Sequence, residues 1–216
     1  MTTLELFPME VSDGPERIGP GAFLLRGFAL PFVNDLLPAV RQLEECSPFR
    51  NMATPGGRTM SVALTNCGTL GWVTDLHGYR YTTHDPMTGK PWPAMPRCFE
   101  LLAKQAAAAS GFGDFEPDAC LVNRYLPGAR MALHQDKDER DFTAPIVSVS
   151  LGMTAVFLFG GLTRSARPLR VPLRHGDVVV WGADDRLRYH GILPLKDIPH
   201  ALLGSQRINF TFRKAG

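Results

Sequence analysis

The chain has 216 residues, of which 44% are hydrophobic and 20% are charged, with a net charge of +2, which indicates one globular domain that needs no disulfide or metal staple to fold. Its apolar stretches, such as residues 155–162, are far shorter than the roughly 20 residues of a membrane helix, and no basic segment precedes an apolar one at the N-terminus. Four cysteines without a C-x-x-C pair fit a reducing compartment better than a disulfide framework or a zinc site, so we expect a cytoplasmic protein with no membrane association.

The first 96 residues predict a lead-in, a helix and a long irregular segment. Residues 1–20 are rich in Pro and Gly and lack periodicity, so we expect a loose N-terminal lead-in before a single domain of residues 21–216. Apolar residues at helical spacing predict an amphipathic helix over residues 35–45. Residues 51–96 are dense in Gly, Pro, Thr and aromatic residues, which is typical of hairpins and long loops.

A second helix and a series of short strands follow. The Ala-rich residues 96–110 predict a helix that stops at Gly111. Beyond Pro117, short β segments alternate with Gly-rich turns, and we predict strands over residues 119–126, 145–151, 155–159, 169–173, 177–181, 187–193 and 206–213. This pattern indicates an antiparallel sandwich or jelly roll, so the predicted fold class is mainly β with flanking helices.

The last predicted strand has one wholly polar face. Residues two apart point to the same side of a strand, so one side carries Arg207, Asn209, Thr211 and Arg213, and the alternate residues are apolar. A face turned to solvent is the simpler explanation. A polar barrel interior is the alternative, and it would require bound anions, because two buried arginines without anionic partners would be very costly.

A candidate metal site begins at His134 and Asp136, whose side chains project to one side of an extended backbone. A His-x-Asp pair alone is a weak signal, because it occurs often by chance. His190 is the natural third ligand, since it falls late in the β region, and the other histidines lie in apparent turns or loops. Two histidines and one carboxylate with open coordination positions are the facial triad of non-haem Fe(II) oxygenases.

Such a triad would explain the polar face of the last predicted strand. A triad enzyme with a dicarboxylate cosubstrate needs a cation deep in the barrel and polar groups near the metal. Arg207, Asn209 and Arg213 provide that set, together with Asn123 and Tyr125, which share a face of an earlier predicted strand.

The sequence closely resembles the AlkB family of Fe(II)- and 2-oxoglutarate-dependent nucleic-acid dealkylases. The resemblance runs over nearly the whole chain and is weakest at residues 1–20 and 196–205. Its most specific motifs are Asn123-Arg124-Tyr125, His134-Gln135-Asp136-Lys137-Asp138-Glu139, Tyr189-His190-Gly191-Ile192 and Arg207-Ile208-Asn209-Phe210-Thr211-Phe212-Arg213. It implies a double-stranded β-helix (jelly-roll) core over residues 117–216 and a nucleotide-recognition lid over residues 51–96.

The resemblance also implies roles for individual residues. The iron ligands would be His134, Asp136 and His190, and the 2-oxoglutarate contacts would be Asn123, Tyr125, Arg207, Asn209 and Arg213. Arg207 would pair with the distal carboxylate, while Arg213 would lie near the metal end and Asp136. Substrate contacts would be Trp72, Tyr79, Arg80, Tyr81, Asp138, Glu139 and Arg164.

The residues of the predicted lid favour a nucleobase substrate. Trp72, Tyr79, Tyr81 and Trp92 alternate with Arg50, Arg58 and Arg80, a combination suited to stacking a base and contacting phosphates. An enzyme acting on a base needs it flipped out or already single-stranded. Bases methylated at a ring nitrogen are cationic, so carboxylates at Asp138 and Glu139 would favour them over normal bases.

The predicted activity is therefore oxidative demethylation of bases such as 1-methyladenine and 3-methylcytosine. The reaction would use O2 and release formaldehyde, succinate and CO2. The partner would be alkylated single- or double-stranded DNA, with RNA left open, and we expect a monomer. Two alternatives are hydroxylation of a protein or small molecule, and a jelly-roll module that binds modified nucleic acid without turnover.

Overall fold

The computed structural model describes residues 14–216. Within this part of the chain lie two α-helices, α1 (Val33–Cys46) and α2 (Arg97–Ala109), and two short 3-10 helices, Leu30–Phe32 and Ala183–Asp185. The strands are β1 (Glu16–Gly19), β2 (Ala22–Leu25), β3 (Ala63–Gly68), β4 (Gly71–Asp75), β5 (Gly78–Thr82), β6 (Ala119–Tyr125), β7 (Met131–His134), β8 (Ile146–Gly152), β9 (Ala155–Phe159), β10 (Leu169–Leu173), β11 (Val178–Trp181), β12 (His190–Ile192) and β13 (Arg207–Arg213).

Two antiparallel sheets form a double-stranded β-helix. The larger has the strand order β1-β2-β11-β8-β13-β6-β3, and the smaller has the order β10-β9-β12-β7. From β6 to β13 the chain passes back and forth between the two sheets, with β9 and β10 as consecutive strands of the smaller one, as in a jelly roll. The predicted fold class, mainly β with flanking helices, is confirmed.

The alternation of β13 decides how the layers pack. Its apolar residues Ile208, Phe210 and Phe212 lie in a core cluster with the buried faces of α1 and α2, so the helices cover this side of the larger sheet. The alternate side turns toward the smaller sheet and lines a cavity between the two. All four polar residues of that side are buried, so the barrel-interior interpretation is right and the solvent-face interpretation is wrong.

The N-terminal region is more ordered than the sequence predicts. Residues 1–13 of the predicted lead-in lie outside the described residues, but residues 16–19 form β1, which pairs with β2 at the edge of the larger sheet. Strands of four residues in a Gly- and Pro-containing segment carry too little periodicity to be recognised. Helix α1 also begins earlier than predicted, at Val33, and contains Pro38 on its exposed side, as the predicted helix did.

The segment predicted as a lid is divided between the core and a separate hairpin. Strand β3 pairs with β6 at the other edge of the larger sheet, whereas β4 and β5 form a two-stranded sheet of their own. The Trp92 indole fixes this hairpin by donating a 2.9 Å hydrogen bond from Nε1 to the carbonyl of Thr82. No helix within residues 14–216 has the length and apolar character needed to cross a membrane.

Candidate active site

Two neighbouring strands and the start of one loop bring the predicted iron ligands together. His134 ends β7 and His190 begins β12, and the two are direct cross-strand partners. Cross-strand partners place their side chains about 5 Å apart on one face of the sheet. Asp136 follows His134 by two residues and turns to the same side. Sequence spacing alone could not join His190 to the pair, and the antiparallel pairing does so.

The geometry of the three side chains fits one metal ion. Their potential ligand atoms lie within 4.8 Å of one another. Oδ1 of Asp136 is 3.6 Å from Nε2 of His134, and Oδ2 is 3.7 Å from Nε2 of His190. Nδ1 of His134 lies 2.9 Å from the carbonyl of Ala132, and Nδ1 of His190 lies 3.0 Å from that of Arg188. These bonds place the proton on Nδ1 and leave Nε2 free to bind a metal.

The charges at the site favour the binding of a metal ion over protonation of its ligands. Burial by itself would raise the pKa of Asp136, but Arg213 and the two histidines outweigh burial and hold that pKa well below its usual range. Arg213 donates to Oδ2 of Asp136 from Nε at 2.9 Å and from Nη2 at 2.6 Å. Burial, and then the neighbouring His134, lower the pKa of His190 to about 4. An ionised carboxylate and a neutral imidazole are the forms that coordinate iron.

A second requirement, a site for a dicarboxylate, is met by Arg207. Its side chain is 1% exposed, and no carboxylate within residues 14–216 forms an ion pair with it. Nε donates a 2.8 Å hydrogen bond to Ser150 Oγ, and Nη1 has no hydrogen-bond partner in the described chain. Because a buried cation without a neutralising anion is very costly, the arrangement fits a bound carboxylate.

The remaining predicted cosubstrate contacts surround the same cavity, whose volume is about 60 Å³. The Tyr125 ring packs 4.9 Å from the Arg207 guanidinium. The Asn123 amide donates to Asn209 Oδ1 at 3.1 Å, while its own Oδ1 has no partner within the described residues. Both histidines and Arg213 line this cavity too. Both histidine ligands, Arg207 and Arg213 therefore line one cavity, as 2-oxoglutarate chemistry requires.

The β4–β5 hairpin presents an aromatic face beside this cavity's metal end. The rings of Trp72 and Tyr79 stack with centroids 5.6 Å apart. Nε1 of Trp72 donates a 2.9 Å hydrogen bond to Oδ2 of Asp138, which is exposed. Tyr81 lies directly opposite Trp72 in the hairpin. The structure thus brings three of the predicted substrate residues and Asp138 together.

Other predicted substrate residues lie elsewhere. Arg80 points to the opposite face of the hairpin, where its guanidinium binds both carboxylate oxygens of Asp75. Glu139 is buried and is bound by Tyr81, Arg186 and Arg213, so its carboxylate is already occupied by protein donors. The placement of Glu139 thus departs from the substrate-side position expected from sequence, because burial and three donors turn it inward.

Arg164 is exposed in the connection between β9 and β10. Its side chain is not part of the cavity lining, so the structure leaves it apart from the iron site.

Sequence reasoning missed several residues that shape the site. Ser150 and Ser148 lie on β8 and bind Arg207 and Asn209, respectively. Trp181 packs its ring 4.9 Å from that of His190. Arg186 is fully buried and contacts the loop that carries Asp136. The alternation of serines in β8 was the available signal for the first two, whereas nothing in the spacing marks Arg186.

Comparisons with known proteins agree with this geometry. Residues 21–213 match the family model of the 2OG-Fe(II) oxygenase superfamily, whose members require Fe(II), 2-oxoglutarate and O2. The chain is 57% identical over 212 residues to the alpha-ketoglutarate-dependent dioxygenase AlkB of Salmonella typhimurium, covering 98% of each chain. It is 33% identical over 139 residues to the human nucleic acid dioxygenase ALKBH1, covering 62% of this chain and 36% of the human protein.

A solved structure shows the same architecture. The structure of OsALKBH1 superposes with a TM-score of 0.80 at 29% identity, covering 93% of this chain and 99% of that one. Fold, metal geometry and full-length similarity therefore converge on one assignment. The chain belongs to the AlkB family of Fe(II)- and 2-oxoglutarate-dependent dioxygenases.

Proposed function

We propose that this protein repairs nucleic acid by oxidative demethylation, with 1-methyladenine and 3-methylcytosine in DNA as its substrates. The observation that carries the proposal is the buried Arg207, a cation without an anionic partner in the described chain, in a cavity that His134 and His190 of the His-Asp-His cluster also line. A dicarboxylate cosubstrate is the ligand that this combination suits, since it neutralises the cation and reaches the metal. The full-length similarity to AlkB supports the same activity.

Each polar residue of the cavity has a proposed role. His134, Asp136 and His190 would hold Fe(II), and Arg207 would bind the distal carboxylate of 2-oxoglutarate, with Asn123, Tyr125 and Asn209 around it. Arg213 already binds Oδ2 of Asp136, so it would fix that carboxylate and add positive charge at the metal end of the cosubstrate.

On the substrate side, we assign the face formed by Trp72, Tyr79 and Tyr81 to the alkylated base. Stacking on aromatic rings is the common way in which proteins hold an unpaired base. Asp138 lies at the edge of this face, bound to the Trp72 indole. A carboxylate there would attract a cationic methylated base more strongly than its neutral normal counterpart. Arg164, exposed and outside the cavity, would contact the phosphate backbone.

The chain's own residues organise the reaction. Bound Fe(II), with 2-oxoglutarate and O2, supplies the oxidation that converts the N-methyl group to formaldehyde, with succinate and CO2 as the other products. The two histidines and Asp136 would hold the metal through three ligand atoms only, which would leave coordination positions for the cosubstrates. The aromatic face would orient the base for reaction.

The organisation of the chain follows from these roles. Residues 51–96 would form the nucleotide-recognition lid, of which β3 is built into the larger sheet, and residues 117–216 would form the catalytic core. The human relative's name, nucleic acid dioxygenase, leads us to include RNA beside single- and double-stranded DNA as a substrate to be tested. We expect a cytoplasmic monomer.

Mass spectrometry of oligonucleotides tests the proposal. The full chain with Fe(II), 2-oxoglutarate and O2 is incubated with DNA and RNA strands that each carry one alkylated base. We expect the mass of strands that carry 1-methyladenine or 3-methylcytosine to fall by the mass of one CH2 group, with succinate formed in equal amount. If succinate forms but the mass of none of the oligonucleotides changes, the dioxygenase assignment stands and the nucleic-acid substrate is rejected.

A further inference from the structure

A buried arginine outside the cavity contacts the irregular segment that carries Asp136. We call residues 135–145, which join β7 to β8, the ligand loop. The loop contains no helix or strand, although it holds a metal ligand and Asp138. A segment without regular backbone pairing needs other contacts to fix its position.

The Arg186 guanidinium provides three such contacts. Nη1 donates to the carbonyl oxygen of Asp136 at 2.8 Å, and Nε donates to that of Ala144 at 3.1 Å. Nη2 donates to Oε2 of Glu139 at 3.1 Å. The guanidinium also packs 5.4 Å from the Phe142 ring. One rigid planar group therefore touches the ligand loop at four points, from its beginning to its end, which a flexible ammonium cannot do.

The backbone segment that carries Arg186 is itself held in place by hydrogen bonds and an ion pair. Arg186 directly follows the 3-10 helix Ala183–Asp185, where Asp185 accepts a 2.8 Å hydrogen bond from the backbone of Gly21 in the turn between β1 and β2. Asp185 is fully buried and pairs with Arg188. A side chain anchored in this way can hold a neighbouring loop within the small tolerance that a metal site needs.

The same short segment holds a second ligand. The carbonyl of Arg188 lies 3.0 Å from Nδ1 of His190 and so orients that imidazole. The Gln135 amide, next to Asp136, donates a 2.6 Å hydrogen bond to the carbonyl of Leu187. Residues 183–190 thus link the loop carrying Asp136 with the strand carrying His190.

We propose that Arg186 is a positioning residue of the iron site, which holds Asp136 at the place where it completes the triad. Arg186 acts through the loop backbone and touches neither cosubstrate nor substrate. The proposal rests on the iron site of the dioxygenase and not on the identity of its nucleic acid. Its test therefore uses metal binding, which stays interpretable if demethylation fails.

The experiment titrates Co(II) into the metal-free full chain and follows the visible absorption of the bound ion. In Arg186→Gln we expect the dissociation constant for Co(II) to rise by about 10- to 100-fold, the usual effect of removing a contact behind a metal ligand. Arg186→Lys keeps the charge near Glu139 but cannot span the acceptors, so we expect a rise of about 10-fold.

Arg26→Gln is the matched control. Arg26 also binds three acceptors, on Glu16, Pro172 and Asp177, and none of these four residues lines the cavity. We expect it to lower thermal stability but to leave Co(II) affinity unchanged. If Arg186→Gln folds and binds Co(II) within twofold of wild type, Arg186 only stabilises the fold and the proposal is overturned. If Arg186→Gln fails to fold, Arg186→Lys decides by the same criterion.

Discussion

Three carboxylates within four residues take three different roles in this protein. Asp136 is buried against Arg213, Asp138 is exposed and binds the Trp72 indole, and Glu139 is buried among Tyr81 and two arginines. Their chemistry is nearly the same, so the neighbours of each carboxylate decide its role.

The triad is tested by removing one ligand at a time. His134→Ala, Asp136→Ala and His190→Ala should each lower succinate formation by more than about 100-fold, because direct ligands matter more than the residues behind them. His175→Ala, which removes a histidine that does not line the cavity, is the control. Near-normal turnover of any ligand variant, with fresh Fe(II) supplied, would remove that residue from the assignment.

Arg207 is tested by Arg207→Lys. The lysine keeps the positive charge but loses the planar fork, so the KM for 2-oxoglutarate should rise by an amount equivalent to about 1–3 kcal/mol. The KM is measured from succinate formation, beside Arg170→Lys on the exposed side of β10 as a control. An unchanged KM in Arg207→Lys would assign the distal carboxylate to another residue.

Asp138 is tested for charge selection by Asp138→Asn. Two unit charges about 4 Å apart at an effective dielectric near 20 attract by about 4 kcal/mol, of which desolvation removes much. The amide can still accept the Trp72 hydrogen bond, so the loop should keep its shape. We expect kcat/KM to fall by one to two orders of magnitude more for 3-methylcytosine than for a neutral etheno adduct. Equal losses on both would show that Asp138 only orders the loop.

At the scale of elements, the β4–β5 hairpin depends on close packing at its base. A Cβ atom at Gly71 would lie 2.4 Å from the Trp92 ring, which also holds Thr82 at the end of β5. Gly71→Ala should therefore lower the free energy of unfolding by about 1–3 kcal/mol through overpacking. Thermal denaturation measures this loss.

Gly56→Ala provides the comparison, because no atom lies within 4 Å of the added Cβ. Its melting temperature should stay near that of wild type. If Gly71→Ala were equally stable, Trp92 would be free to move and the hairpin would not be fixed at its base.

Strand β13 shows how one element serves two layers. Its apolar residues pack beneath the helices, and its polar residues face the cavity. A shift by one residue in its pairing with β6 would reverse every side chain. Register is therefore a functional property of this strand, since it turns both arginines into the cavity that His134 and His190 also line.

At the scale of the whole molecule, the cavity links ligand binding to stability. A buried cation without an anion, as at Arg207, weakens the folded state, and a ligand that binds only the folded state stabilises it. Mn(II) with 2-oxoglutarate at 100 times its dissociation constant should add about 2.7 kcal/mol. That gain should raise the melting temperature by roughly 5–10 °C.

Succinate has the distal carboxylate but lacks the 2-oxo acid group of 2-oxoglutarate, so it should raise the melting temperature less than 2-oxoglutarate does. Scanning calorimetry in the presence of Mn(II) alone, with succinate and with 2-oxoglutarate makes the comparison. The absence of any shift with 2-oxoglutarate would contradict a cosubstrate site in this cavity.

Sequence reasoning anticipated much of the core and less of its edges. Both helices and the β region after Pro117 were predicted close to their observed bounds, because their periodicities are long or sharply ended by glycine. Strands β1, β2 and β7 were missed, since each has four residues and so carries little pattern. Strand β12 is shorter than predicted, at residues 190–192, because a 3-10 helix precedes it.

By itself the sequence determined the residue types, the alternation of residues 207–213 and the motif resemblance, because these depend only on local order along the chain. It could not determine whether that polar face met water or a cavity, since both produce the same pattern. Only the tertiary structure, by pairing β7 with β12 and covering β13 with the smaller sheet, placed His190 beside Asp136 and turned Glu139 inward. Burial and contact between distant segments decide such questions, and neither is a property of neighbouring residues.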